Sequence, residues 1–260
     1  MPNKFIHDFI VTKNIELNVS HFILELLCPE PLPKINPGQF VEIKVEHSPS
    51  TFLRRPFSIH EVNLQNNTIQ LLIQKKGEGT RQLSYLKKGD RLNLIYPLGN
   101  SFQIVQHEKV LLVGGGCGVA PLLFLARILK ENGNEIKILI GAKSKDDILE
   151  KEIFEKLGKV FITTEDGSEG TRGFVIHHGI WRQTPFMFSK IYTCGPEPMM
   201  KAVARLAQIH RVACEVSLEQ TMACGLGACL CCVVNTKNGN VCTCTQGPVF
   251  LSEELTGWTH

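Results

Sequence analysis

The 260-residue chain has no uninterrupted apolar run long enough to cross a bilayer. Its longest interrupted apolar stretches read as buried strands and helices, so no membrane partner is expected. No charged-then-apolar leader opens the chain, and nothing therefore points to an oxidising compartment. Repeats and low-complexity tracts are absent. The 28 Lys and Arg against 25 Asp and Glu leave a formal charge of +3, too small and too evenly spread to argue for nucleic acid. These absences leave a soluble, cytoplasmic protein as the expectation, long enough for two compact domains and a small appendage.

Cysteine is what the chain has in quantity. Four of its ten cysteines lie between Cys224 and Cys232, and Cys242 and Cys244 follow. Cys224, Cys229 and Cys232 read C-x4-C-x2-C with a later cysteine, the plant-type spacing for a [2Fe–2S] cluster. Four thiolates must converge on two irons, and the loop between the first two must wrap the cluster closely. Gly225, Gly227 and Ala228 lack bulky side chains, so backbone N–H groups can approach the sulfides. Such a site carries electrons one at a time. Cys229-x2-Cys232 with Cys242-x-Cys244 also suits a tetrahedral zinc, and disulfides or free thiols are a third reading. The ligand spacing favours the cluster.

Up to about Pro97 the chain alternates short β-rich runs with Pro, Gly and Asn breaks. Strands are expected at Phe5–Val11, Phe22–Leu27, Gln39–Val45, Phe57–Glu61, Thr68–Gln74 and Arg91–Ile95. About six strands of this length suggest a small closed barrel, since closure removes unpaired edges. Within it, Arg55 offers a bidentate fork for a pyrophosphate. Pro56 fixes the turn, Phe57 enters a strand, and Ser58 can place a hydroxyl near a flavin ring. An ordinary basic loop would read the same way. A second element, Lys75-Lys-Gly-Glu-Gly79-Thr80, follows a strand and precedes a short helix, with donors for an anion. Two phosphate-competent elements in one barrel point to FAD.

The middle of the chain reads as an α/β domain. A buried-type strand at Lys109–Gly114 runs into Gly116-x-Gly118-x-x-Pro121 and a helix, which presents a helix N-terminus to a phosphate. Pro121 fills the first turn without losing a bond, and a plain glycine turn is the alternative. Strands at Ile136–Ile140, Val160–Thr164, Ile191–Cys194 and Val212–Val216 alternate with helices around Ile148–Leu157, Gly173–Ile180 and Met199–Ile209. That alternation implies a parallel sheet with its ligand at the carboxyl ends of the strands, where the loops Gly114–Pro121, Thr163–Gly170 and Cys194–Pro198 should cluster. Asp166 can accept from ribose hydroxyls and would repel a 2′-phosphate, which favours NAD over NADP. A solvated turn at Asp166-Gly167-Ser168 accounts for it equally. Cys194 and Gly195 fall near the expected nicotinamide, where Cys194 either shapes that contact or packs.

In this order, the features resemble the ferredoxin–NADP reductase superfamily. The narrower resemblance is to electron-transfer subunits of class 1B dihydroorotate dehydrogenases. It is carried by Leu53-Arg-Arg-Pro-Phe-Ser-Ile59, Tyr96-Pro-Leu-Gly-Asn-Ser-Phe102, Cys194-Gly-Pro-Glu-Pro-Met199, Ser217-Leu-Glu219, Met222-Ala-Cys-Gly-Leu-Gly-Ala-Cys229 and Gly247-Pro-Val-Phe250. The resemblance implies an N-terminal antiparallel FAD-binding β-barrel (1–102), a parallel-sheet NAD-binding domain (103–216) and a small C-terminal [2Fe–2S] segment (217–260). By position it places Arg55 and Ser58 on FAD, Gly79 and Thr80 near its pyrophosphate, and Cys224, Cys229, Cys232 and Cys244 on the cluster. Cys244 is chosen over Cys242 because the family's last ligand shortly precedes Gly-Pro-Val-Phe. Cys231 and Cys242 are then spare, and Cys28 and Cys214 suit strand cores.

The resemblance further implies a flavin-bearing dihydroorotate dehydrogenase catalytic subunit as partner in a hetero-oligomer. Electrons would pass singly through the cluster to FAD and leave as hydride to NAD. No catalytic acid–base side chain is required. One alternative is a subunit of an NADH-dependent ferredoxin reductase or related flavin complex. Another, of a different class, is a non-catalytic nucleotide-binding module with structural zinc. The cluster loop and the apolar tail Pro248-Val-Phe-Leu251 are the expected docking face.

Overall fold

The alternating runs of the first hundred residues pair as antiparallel strands. The computed structural model describes residues 3–46, 48 and 50–259. Its first sheet holds β1 (Phe5–Asn18), β2 (His21–Leu27), β3 (Phe40–Ile43), β4 (Arg55–Ser58), β5 (Glu61–Asn63), β6 (Thr68–Gln74) and β7 (Arg91–Leu98), in the order β4-β3-β7-β1-β2-β6-β5. β1 outruns its expected end because a two-residue turn at Val19-Ser20 folds it straight back on β2, with Asn18 opposite His21. Pairing, rather than burial, carries its polar half. The expected strand Phe57–Glu61 is split in two, because the chain there leaves one edge of the sheet for the other. Ile59 N–H donates to Gln39 O (3.0 Å) and His60 N–H to Gln70 O (2.8 Å). The open sheet has β4 and β5 as its edges, which this crossing links, and the half-closed barrel encloses Phe9, Leu24, Ile43, Leu71 and Tyr96. A short helix, α1 (Glu78–Ser84), joins β6 to β7.

The second sheet has β8 (Lys109–Gly115), β9 (Glu135–Ala142), β10 (Lys159–Thr164), β11 (Thr171–Arg172), β12 (Lys190–Cys194) and β13 (Ala213–Ser217), parallel and ordered β11-β10-β9-β8-β12-β13. Apolar runs such as Val110–Val113 are buried because helices cover the sheet. These are α2 (Ala120–Glu131), α3 (Lys151–Glu155) and α4 (Glu197–Ile209). The helix expected near Gly173–Ile180 is instead two 3-10 turns, Val175–His177 and Gly179–Arg182. Gly173 sits at φ +113, and histidine side chains capture backbone donors: His177 Nδ1 accepts from Phe174 N–H and His178 Nδ1 from Ile180 N–H, both at 3.1 Å. Local side-chain bonds of this kind compete with helix.

The cysteine segment leaves this sheet and returns to it. After Ser217 it forms the loop 218–232, a hairpin of β14 (Val233–Thr236) and β15 (Gly239–Cys242), and the turn α5 (Thr243–Gln246). β16 (Val249–Leu251) then pairs antiparallel with β13, Val249 opposite Ser217. The tail Pro248–Leu251 is therefore not a docking surface as expected. Val249 and Phe250 are buried, since an apolar strand covers the otherwise open edge of β13. The same tail is stitched to the barrel. Asn100 donates to Gln246 O (2.9 Å) and Val249 O (2.8 Å) and accepts from Val249 N–H (2.9 Å).

Candidate functional site

β4 is the terminal strand of its sheet, so one backbone edge is open. It carries Arg55, Pro56, Phe57 and Ser58, each half-buried. The Arg55 guanidinium reaches only the carbonyls of Leu53 (3.2 Å) and Arg54 (3.3 Å), and among the described residues it enters no ion pair. Ser58 makes no side-chain hydrogen bond within the same set. Both groups are thus available to a ligand lying along the strand. The second phosphate-competent element is adjacent: a Cβ on Gly79 would meet Thr51 at 3.1 Å, and Ser50 donates to Glu78. α1 begins earlier than expected and takes in Thr80, whose hydroxyl accepts from Lys76 N–H (2.9 Å) and Gly77 N–H (3.0 Å). Its hydroxyl serves its own loop, which leaves the backbone of the first turn to face an anion.

At the carboxyl edge of the parallel sheet, two loops interlock. A Cβ on Gly118 would collide with the Cys194 carbonyl, and one on Gly195 would lie 3.0 Å from Gly115 N. Gly116 holds φ +53, a conformation that favours glycine. Behind this turn α2 starts without a side-chain cap at Val119, and α4 starts uncapped at Pro196. A 3-10 turn, Gly116–Val119, leads directly into α2, so one helical N-terminus opens at Gly115-Gly116 and the other at Pro196, and at one sheet edge the two suit a pyrophosphate. Gly116, Gly118, Cys194 and Gly195 are therefore brought together. Asp166 lies on the same edge but beyond β9. Its carboxylate accepts from the Ser168 hydroxyl (2.6 Å) and N–H (2.9 Å), and these bonds hold its pKa below the usual range.

Glu219 is a site residue that the sequence argument passed over. It follows the last parallel strand and is solvent-exposed, and its charge is felt by Cys117 and Cys194 on the sheet and meets that of Lys76 on the barrel. Burial pushes its carboxyl up, against the pull of Lys76 on the barrel. Burial also pushes the Cys194 thiol up, with Glu219 and Cys117 adding to the effect and a Ser217 hydrogen bond opposing it. The signal was present in Ser217-Leu-Glu219, an acidic group at a strand's carboxyl end.

The cysteines gather beside the barrel. Burial pushes the Cys224 thiol up, but N–H donors of Leu226, Cys229 and Ala228, with the Cys229 thiol, outweigh it and bring the pKa down to about 6. The Leu226 bond is 3.3 Å. Cys232 Sγ accepts from Cys244 N–H at 3.4 Å, and Cys232 also touches the thiols of Cys242 and Cys244. Cys231 is exposed. No three His, Cys, Asp or Glu side chains among the described residues surround one point as a single ion requires. The sulfurs instead fall into two groups, Cys224 with Cys229, and Cys232 with Cys242 and Cys244. Two irons call for that division, and N–H donors aimed at sulfur suit an anionic iron–sulfur group.

The loop rests on the flavin-side strands. A Cβ on Gly225, which holds φ +65, would meet Glu42 Cγ at 2.8 Å and Leu98 at 3.2 Å. Glu42 is fully buried, and neither carboxyl oxygen has a hydrogen-bond partner among the described residues. Burial pushes its pKa up to about 7, with Arg54 opposing and Cys224 adding.

Models of three families match consecutive parts of the chain: an oxidoreductase FAD-binding domain over residues 8–102, an oxidoreductase NAD-binding domain over 112–205, and the iron–sulfur cluster binding domain of dihydroorotate dehydrogenase B over 219–256. The electron transfer subunit of dihydroorotate dehydrogenase B (NAD(+)) from Caldanaerobacter subterraneus is 41% identical over 226 residues, 85% of this chain and 87% of that one. Its counterpart from Clostridium perfringens is 40% identical over 247 residues, 94% and 96% of the two chains. A solved structure of an NADH-dependent reduced ferredoxin-NADP oxidoreductase, studied for flavin-based electron bifurcation, superposes with TM-score 0.87 at 30% identity, over 98% of this chain and 91% of that one. Domain order, the cysteine loop and these likenesses agree: the chain belongs to the family of electron-transfer subunits of dihydroorotate dehydrogenase B, with FAD-binding, NAD-binding and iron–sulfur-binding domains.

Proposed function

We propose that the chain carries electrons between a flavin-bearing, dihydroorotate-oxidising partner subunit and NAD, within a cytoplasmic hetero-oligomer of pyrimidine biosynthesis. The observation that carries this reading is the seat of the cysteine loop. Gly225 packs on Glu42, and Glu42 pairs with Pro56 across β3 and β4. Neighbouring strands are about 4.8 Å apart, so the thiols and the Arg55–Ser58 strand lie within easy reach of each other. Bound FAD trades in both single electrons and hydride, which an iron–sulfur cluster and NAD respectively require.

The residues divide the work. Arg55 binds the FAD pyrophosphate with the donors its carbonyl contacts leave over, and Gly79 and the α1 backbone approach the same group, with Thr80 holding their loop. Pro56 and Phe57 shape the ring's seat, where Ser58 offers its hydroxyl. Gly116 and Gly118 bring the α2 N-terminus to NAD, Cys194 and Gly195 floor the nicotinamide end, and Asp166 accepts from a ribose hydroxyl. Cys224, Cys229, Cys232 and Cys244 would hold the [2Fe–2S] cluster, which supplies single-electron transfer. Cys244 is preferred to Cys242 because its backbone N–H donates to the Cys232 sulfur at 3.4 Å, which ties it to a neighbouring ligand. No side chain is assigned as an acid or base. The functional parts are residues 1–102, 103–216 and 217–260. Ten unpaired cysteines support a reducing compartment, and no helix among the described residues is long and apolar enough to cross a membrane.

One observation favours a second reading. The likeness to the ferredoxin-NADP oxidoreductase spans nearly the whole chain, so the same body could serve a ferredoxin-linked complex. Anaerobic affinity purification of the tagged chain from its host decides between them. A brown complex with a flavin-bearing second subunit, reducing NAD when given dihydroorotate, is expected. Co-purification with ferredoxin and no dihydroorotate activity would select the second reading. A colourless chain with stoichiometric zinc would sink both.

A further inference from the structure

Five thiols crowd a site that needs four. The fifth, Cys242, ends β15 with its side chain buried. It touches the Cys232 thiol, as Cys244 does, and feels the sulfurs of Cys224 and Cys229. The hairpin fixes this placement: Cys242 stands opposite Val233, and Thr243 N–H donates to Cys232 O at 2.9 Å. Only Thr243 separates it from Cys244. Cys232, Cys242 and Cys244 share one apolar packing with Phe40, Ile95, Leu98 and Met222, so either thiol would meet an iron in the same dry surroundings. Backbone donors distinguish the two. Cys244 N–H donates to Cys232 Sγ at 3.4 Å, whereas Cys242 N–H donates to Gln246 Oε1 at 3.1 Å. Cys231 differs from both, being exposed.

We propose that Cys242 is a reserve ligand of the cluster, able to replace Cys244 on the same iron when Cys244 is unavailable. Cys242 gives up its thiol proton on ligation and the departing Cys244 thiolate takes one up, so the charge of the site is unchanged and no electron moves. The proposal rests on the ligand assignment above and adds a residue that the family pattern does not supply.

Its test is iron content and electron paramagnetic resonance of the reduced protein, with FAD per chain as the measure of folding. C244A and C231A/C244A should retain iron at the level of the unsubstituted chain, with shifted resonance positions. C242A/C244A should lose iron about tenfold or more, since a metal site depends on its full ligand set, while keeping FAD. Loss of iron in C244A at full FAD occupancy would overturn the proposal, as would retention in C242A/C244A. If C244A fails to fold, C244S decides: an all-thiolate visible spectrum is expected in C244S, and a blue-shifted one in C242A/C244S. A C244S spectrum already shifted would overturn it. An unsubstituted chain without iron would instead sink the cluster assignment itself.

Discussion

The glycine-lined edge of the parallel sheet and the cysteine loop are built in opposite ways. At the sheet edge, main chain makes the shape: Gly118 abuts the Cys194 carbonyl, and Gly195 approaches Gly115. Side chains contribute little there beyond staying out of the way. In the cysteine loop the main chain is a supplier of donors, and the sulfurs of Cys224, Cys229, Cys232 and Cys244 are the ligands proposed to hold the cluster. The contrast predicts where each region breaks. The edge fails when atoms are added, and the loop fails when they are removed.

The largest effect should come from C229A. Removing one sulfur of the Cys224–Cys229 pair should abolish the iron signal while FAD and NADH binding persist, as iron analysis beside a flavin spectrum would show. Next in size is E42Q. Burial lifts the Glu42 pKa from 4.5 to about 7, so between those values the folded chain holds a proton that the unfolded chain has released. Stability contributed by this group therefore falls as pH rises from about 4.5 to 7 and stays low above it, by roughly 3 kcal/mol. In E42Q that slope should vanish, and unfolding midpoints at pH 5 and pH 8 compared with the unsubstituted chain would show it. R55A tests whether the barrel strand follows the loop's rule: losing a charged hydrogen-bonding group costs about 1.5–3 kcal/mol, a tenfold or greater rise in the FAD Kd by ultrafiltration. G118A tests the other rule. Added bulk in a packed place costs about 1–3 kcal/mol, so the NADH Kd should rise tenfold or more with iron and FAD contents unchanged.

Much of this was legible in the residues. Thr68–Gln74 was expected and observed with the same bounds, because an apolar β-rich run bounded by turn residues leaves little choice. The order of the parallel strands β8, β9, β10, β12 and β13 from Lys109 to Ser217 was readable for the same reason. What escaped depended on distant partners. The tail Val249-Phe250 reads as an exposed apolar patch until the open edge of β13 is in view. The split at Ile59-His60 reflects a crossing between sheet edges that no local pattern encodes. Gly173–Ile180 has helical composition, yet two histidine side chains take its backbone donors. Glu219 was within a quoted motif, but its place between Lys76, Cys117 and Cys194 arises only when barrel and sheet are packed together.

The pairing of Ser217 with Val249 makes the whole cysteine segment a detour between two neighbouring strands. Its ends are side by side, so closing it costs the nucleotide-binding sheet little beyond the entropy of one loop. A detour of this kind can be lengthened, shortened or exchanged without disturbing the strands that flank it. The electron-carrying part of the molecule is thus a cartridge in a fixed holder, and lineages could refit it to new partners while the hydride-handling body stayed as it was.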